Sequence, residues 1–257
     1  MQQIELENDY REAYFRIKCF KGIFTHDISN LFQIISNTIE LCGLLLRDRM
    51  NMEDISDYFE LIGQQLNRGK KLINNVRKLS QLEEHEMPLE PVEVLKTLRN
   101  AIQFTHNSYP RKNVDIKIVP EDRNLYVMAN ELLVDIFENL FMNSINYNKN
   151  EIIQITIHLS TMEEKYNRYI KLEFKDNGIG LEDSQKEKIF QGMQYQSKLS
   201  KGMGIGLSLV AKLINLCGGR ISVEDRIKGD YTQGSNFILI IPKTTSIDNN
   251  QIIWSEE

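Results

Sequence analysis

The chain is poor in the residues that would tie it to several broad functional classes. Its 257 residues contain only three cysteines, Cys19, Cys42 and Cys217. Their spacing matches no metal-ligand pattern, and three thiols cannot make a full disulfide set, so the expected environment is a reducing one. Nowhere do about 18 apolar residues follow one another, as a membrane-crossing helix would need. The first residues, Met1 to Glu5, lack the basic and apolar regions of a secretory leader, and the chain is expected to be cytoplasmic. The formal charge of −5 gives no electrostatic reason to expect nucleic acid or a membrane surface as partner. No Gly-x-x-x-x-Gly-Lys-Ser/Thr stretch occurs, which excludes a P-loop.

Glycine is scarce at first and then abundant. Gly22, Gly43, Gly63 and Gly69 are the only four before residue 170, and ten follow. The early part is instead periodic. Phe24, Ile28, Leu31, Ile35, Thr38, Cys42 and Leu45 alternate by four and three, the spacing of a packed helical seam, within a helix expected over 8–47. A turn is expected over 47–54, and a second helix over 53–84 with Ile55, Phe59, Ile62, Leu66, Ile73 and Val76 on one stripe. Two long amphipathic helices joined by a short turn form an antiparallel hairpin. Alone it leaves apolar surface exposed, so a second copy is expected to complete a four-helix bundle, the alternative being that the C-terminal domain of the same chain covers the seam. His26 falls off the seam and shares an outward face with Asn30, four residues on, with Asp27 between that face and the seam. In isolation this is the pattern of a surface histidine. It is also the pattern of a nucleophile with a carboxylate and an amide at hand.

Past the polar link ending at Pro88, periodicity shortens. A helix is expected over about 93–107 and strands at Val114–Ile118 and Tyr126–Met128. A helix then runs to Tyr147, strands follow at Ile152–Ile157 and Tyr169–Phe174, and a short helix covers Ser184–Phe190. A helix over 204–217 and strands at Gly219–Glu224 and Ser235–Ile241 end the ordered part. The class is α+β: a mixed sheet with helices on one face. The expected divisions are a helical hairpin over 1–86, an α/β sandwich over 87–244 and a tail over 245–257.

Three stretches of this second part carry chemistry. Asn139, Asn143 and Asn146 lie at i, i+4 and i+7 on one helical face, and amide oxygens are hard ligands suited to Mg²⁺ shared with phosphate. A solvated asparagine face is the alternative. Asp176-Asn177-Gly178-Ile179-Gly180 follows a strand. Its aspartate can accept a hydrogen bond from an exocyclic amine such as that of adenine, although Asn-Gly is also a common hairpin signal. Gly202-Met203-Gly204-Ile205-Gly206-Leu207 opens a helix whose N–H groups and dipole suit phosphate. Its third position and the polar segment before it do not fit a dinucleotide fingerprint.

Taken in this order, the stretches resemble those of the sensor histidine kinases of two-component signalling, whose catalytic domain belongs to the GHKL ATPases with their Bergerat-type fold. Phe24–Asn30 is similar to the family's phosphoacceptor box and Glu138–Tyr147 to its asparagine box. Asp176–Gly180, Gly202–Leu207 and Gly234-Ser235 are similar to its three glycine elements. The resemblance spans about residues 10–242. It implies ATP-dependent phosphorylation of His26 and transfer to an aspartate of a response-regulator receiver domain. Asp27 would orient or deprotonate the histidine, and Asn30 would orient a water for phosphatase activity.

It further implies Asn143 as the Mg²⁺ ligand with Asn139 nearby, Asn146 and Tyr147 lining the nucleotide, and Asp176 reading the adenine amine beside Gly178 and Gly180. Gly202, Gly204 and Gly206, with Leu207 closing the box, would wrap the phosphates, and Lys198 and Lys201 would neutralise phosphate charge. Asp27 replaces the commoner glutamate, and Asn30 the commoner threonine. Leu31 stands in place of a frequent proline, and the segment before Tyr195 lacks a frequent arginine. These departures motivate one rival, a dimeric nucleotide-binding scaffold without kinase activity. A chaperone or mismatch-repair type of GHKL ATPase is disfavoured for want of room. No sensor domain is visible, so input is expected from elsewhere.

Overall fold

The computed structural model describes residues 28–47, 52–84, 88–120, 125–190 and 205–245. His26, Asp27, Lys198, Lys201, Gly202 and Gly204 lie outside these residues. The chain divides into two compact units, the first holding the helices up to Gln81 and the second beginning at Leu82.

In the first unit, α1 (Ser29–Arg47) and α2 (Met52–Glu84) form the hairpin. A Cβ on Gly69 would lie 3.4 Å from Leu31 Cδ1, the close approach of an antiparallel return. Leu31, Thr38 and Cys42 of the expected seam are buried, and Ile28, Ile35 and Leu45 are half-buried. Thr38 satisfies its hydroxyl by donating to Ile34 O at 2.7 Å. On α2 the expected stripe packs only in part. Leu72 and Asn75 are buried and Ile62 and Val76 half-buried, whereas Phe59, Leu66 and Ile73 are 50–62% exposed. These three lie seven residues apart and form their own row beside the packed one. Phe32 and Ile39 on α1, also seven apart, are exposed likewise.

The second unit is a mixed sheet with helices. Its elements are β1 (Glu90–Glu93), α3 (Val94–Ser108), β2 (Asn113–Val119), β3 (Tyr126–Ala129), α4 (Leu133–Asn146), β4 (Ile152–Glu164), β5 (Asn167–Asp176), α5 (Asp183–Lys186), α6 (Ile205–Leu216), β6 (Arg220–Ile227) and β7 (Asp230–Thr244). The strand order is β1-β3-β7-β5-β4-β2, with β6 also paired to β7. Among the described residues only β2 with β4 is parallel. Glu90–Glu93, expected only as a lead into a helix, is an edge strand on β3. There Pro91 costs the sheet nothing, because an edge need not donate.

Alternation sets the core. Ile153, Ile155, Ile157 and Leu159 of β4, with Ile170, Leu172 and Phe174 of β5, face inward, and Phe137 and Phe141 of α4 meet Phe174 at ring-centroid separations of 5.7 and 5.8 Å. The α4 helix therefore lies across β5, with its C-terminal end beside the end of that strand. Asn130 shapes the turn leading into it by accepting from Leu132 N at 3.0 Å.

Candidate nucleotide site

Period two carries β5 from Ile170, Leu172 and Phe174 to Asp176, so the carboxylate arrives on the core face, 4% exposed. Nothing apolar could satisfy it there, and its partners come from the following turn, from β7 and from α4. Gly178 N donates to Oδ1 at 2.8 Å, Ser235 N to Oδ1 at 3.4 Å and Ser144 Oγ to Oδ2 at 3.4 Å. Burial pushes the Asp176 pKa above the usual carboxylate range, against the opposing pull of these donors and of Arg226. An unneutralised, hydrogen-bonded carboxylate in the core is a costly arrangement that suits a specific amine donor.

After Asp176 the backbone turns under the end of α4 and does not return as a hairpin. Ile179 N donates to Tyr147 O at 3.0 Å. The glycines are required by backbone packing around this turn. A Cβ on Gly178 would stand 2.8 Å from Tyr147 O, one on Gly180 (φ +68°) 1.6 Å from Tyr231 O, and one on Gly234 (φ +113°) 2.0 Å from Asp176 O. The expected reason, close approach to a planar ring, is therefore not needed to account for them.

The asparagine stripe runs from core to surface along α4. Asn139 is 4% exposed and its Nδ2 donates to Asp135 O at 2.9 Å; Asn143 is half-buried; Asn146 is exposed and accepts from Tyr109 Oη at 3.4 Å. A wholly solvated face is thus excluded. Asn143 Nδ2 is buried with no hydrogen-bond partner. Amide nitrogen and oxygen exchange by a half-turn of the side chain, so this residue retains capacity for a phosphate oxygen or a hard cation. The described residues hold no cluster of three His, Cys, Asp or Glu fit for a metal, so a cation here would depend on such an amide and on phosphate oxygens. Gly206 and Leu207 lie half-buried in the first turn of α6, the end of a helix whose dipole favours anions.

Sequence reasoning missed Ser144, Tyr109 and the asparagines Asn148, Asn150 and Asn177. Ser144 and Asn177 carried a signal, since each lies within a stretch already marked as functional.

Residues 128–245 match the family described as histidine kinase-, DNA gyrase B-, and HSP90-like ATPase. The chain is similar to sensor histidine kinases. It is 24% identical over 241 residues to cyanobacterial phytochrome A of Nostoc, covering 93% of this chain and 30% of that protein. It is 25% identical over 213 residues to the sensor histidine kinase YcbM of Bacillus subtilis, covering 79% and 65%. Among solved structures, the catalytic domain of histidine kinase ThkA aligns over 62% of this chain and 100% of that one, with a TM-score of 0.51 and 26% identity. The ThkA complex with response regulator TrrA aligns over 92% and 66%, with a TM-score of 0.59 and 21% identity, a likeness of fold. The chain spans less than two thirds of the length of the first curated relatives it matches, from 9% to 65%.

Proposed function

We propose that this histidine kinase homologue is an ATP- and Mg²⁺-dependent protein kinase that phosphorylates its own His26 and passes the phosphoryl group to a receiver-domain aspartate. The reading is carried by the buried Asp176 carboxylate beneath the end of a helix that bears an unpartnered Asn143 amide. Asp176 accepts the adenine amine, Asn146 and Tyr147 line the nucleoside, and Asn143, with Asn139 behind it, faces the phosphates. Mg²⁺, held through the Asn143 oxygen and phosphate oxygens, would supply charge neutralisation on the transferring group. Gly202, Gly204 and Gly206 surround the phosphates, with Lys198 and Lys201 as countercharges.

In the transfer, an unprotonated ring nitrogen of His26 forms a bond to the γ-phosphorus as the bond to the ADP oxygen breaks. Asp27 holds the proton on the other nitrogen. The phosphohistidine then donates to a carboxylate oxygen of the regulator. Asn30, exposed on α1, directs water in the opposing phosphatase reaction.

We assign 1–86 to dimerisation and phosphotransfer, 87–244 to nucleotide binding and 245–257 to a tail. The exposed rows Phe32/Ile39 and Phe59/Leu66/Ile73 support a homodimeric four-helix bundle, since surface rows at heptad spacing are what a second copy covers.

Incubation with γ-labelled ATP and Mg²⁺ tests the reading. The expected product is an acid-labile, base-stable label on the wild-type chain and none on His26→Ala. Nucleotide binding with no label on the wild type would leave only the scaffold.

A further inference from the structure

β5 stops pairing with β4 at Asp176, opposite Ile155, yet the next residue remains tied to β4 by its side chain. Asn177 N donates to Gln154 O at 3.2 Å. Its Oδ1 accepts from Gln154 N at 2.9 Å and its Nδ2 donates to Ile152 O at 3.0 Å. The side-chain amide thus replaces one further rung of the ladder while the main chain peels away toward Tyr147. The same Oδ1 accepts from Asn148 Nδ2 at 2.7 Å, just beyond the C-terminus of α4. Asn148 Oδ1 in turn accepts from Asn150 N and Nδ2 at 2.9 and 3.0 Å, and Asn150 Nδ2 also donates to Asn177 O. One closed network therefore ties the exit of β5, the entry of β4 and the segment following α4.

The Asp176 carboxylate has one short tie, to Gly178 N; its contacts with Ser144 and Ser235 are both 3.4 Å. Its aim is therefore set chiefly by the backbone over 176–178. That backbone is backed by Gly234 on one side and held by Asn177 on the other. A serine or leucine at 177 could end the strand equally well. What the amide adds is a fixed register between the carboxylate and the asparagine helix.

We infer that Asn177 and Asn148 are positioning residues for base selection, a clasp that holds Asp176 where only a purine bearing an exocyclic amine can pair with it. The inference rests on the proposed adenine reading by Asp176. A purely structural clasp would weaken all nucleotides together when opened. A positioning clasp loses discrimination.

The test compares ATP with inosine triphosphate, which carries a carbonyl where adenine has its amine, binding the full chain in Mg²⁺ by calorimetry. In Asn177→Ala and in Asn148→Ala the ATP-to-inosine-triphosphate affinity ratio is expected to fall about tenfold, the scale of one hydrogen bond to a charged group. Asn148→Ala leaves the Asn177 contacts with β4 in place, so it carries the test should Asn177→Ala fail to fold. A parallel loss of both nucleotides, or an unchanged ratio, overturns the clasp while leaving the adenine reading intact. A wild-type chain that binds ATP without preferring it over inosine triphosphate overturns the reading of Asp176 and the clasp with it.

Discussion

Asp176 makes opposing demands on fold and ligand. Its pKa is raised by burial, so the folded state favours the protonated form relative to the unfolded chain. Between the unfolded pKa and the raised folded one, the native state binds more protons. This group therefore makes the protein more stable as pH falls through that window and less stable as pH rises through it. Nucleotide affinity should move the other way, because the charged carboxylate is the stronger acceptor. Asp176→Asn is expected to keep or raise the melting temperature at neutral pH while abolishing measurable ATP binding; calorimetry and thermal melting on the same samples check both halves.

Cys217 behaves more simply. Burial lifts the Cys217 thiol to about 11, so it stays protonated and should resist alkylation until the fold opens. The position of Asp176 was legible from alternation alone, since Ile170, Leu172, Phe174 and Asp176 share one parity. The ties of Asn148, Asn150 and Asn177 were not legible. Polar residues between elements look like any turn until the chain folds them onto one another.

At the scale of the element, the glycines separate into two kinds. Gly229 has φ +84° and open space within 4 Å of where a Cβ would stand, whereas Gly180 and Gly234 have positive φ and backbone oxygens in the way. Gly229→Ala should cost about 1 kcal/mol, the conformational term alone. Gly180→Ala and Gly234→Ala should each exceed about 3 kcal/mol, because strain is joined by displacement of the Asp176 loop. Urea titrations of the three variants would rank them.

The α2 helix shows where a periodic reading stops short. Its sequence carries apolar residues on two adjacent faces, and nothing local says which one meets α1. Packing chose Ile62, Leu72 and Val76, leaving Phe59, Leu66 and Ile73 outside. Leu72→Ala should therefore destabilise the hairpin by about 2–4 kcal/mol, as a core truncation does. Leu66→Glu should leave helicity intact and shift sedimentation from the proposed dimer to monomer. A Leu66→Glu chain that remains a dimer would remove the exposed row as the pairing surface. β1 escaped the sequence reading for a different reason: four residues containing a proline have too little pattern to signal a strand, and β3 supplies the partner.

For the whole molecule, the sheet's order fixes which parts of the site depend on distant chain. Asp176 lies on β5, Ser235 on β7 and the asparagines on α4, so the site exists only when the sheet and α4 have come together. The proposed transfer then requires the nucleotide unit to reach a histidine on the other unit, in the same chain or the partner copy. Heterodimers of His26→Ala with Asn143→Ala distinguish these routes. Label on the Asn143→Ala chain is the outcome of transfer between subunits, and absence of label from every heterodimer is the outcome of transfer within one.

The Asn177-Gly178 bond also gives the chain a chemical clock. Asn-Gly sequences age by attack of the glycine nitrogen on the asparagine side-chain carbonyl, which expels ammonia. Here that nitrogen donates to Asp176 Oδ1, and the side chain is held by Gln154, Ile152 and Asn148. The folded protein therefore protects the bond most prone to this decay, and each excursion to the unfolded state releases it. Aged samples should carry the small mass gain of amide hydrolysis at this dipeptide in proportion to time spent unfolded, and peptide mapping would read that history.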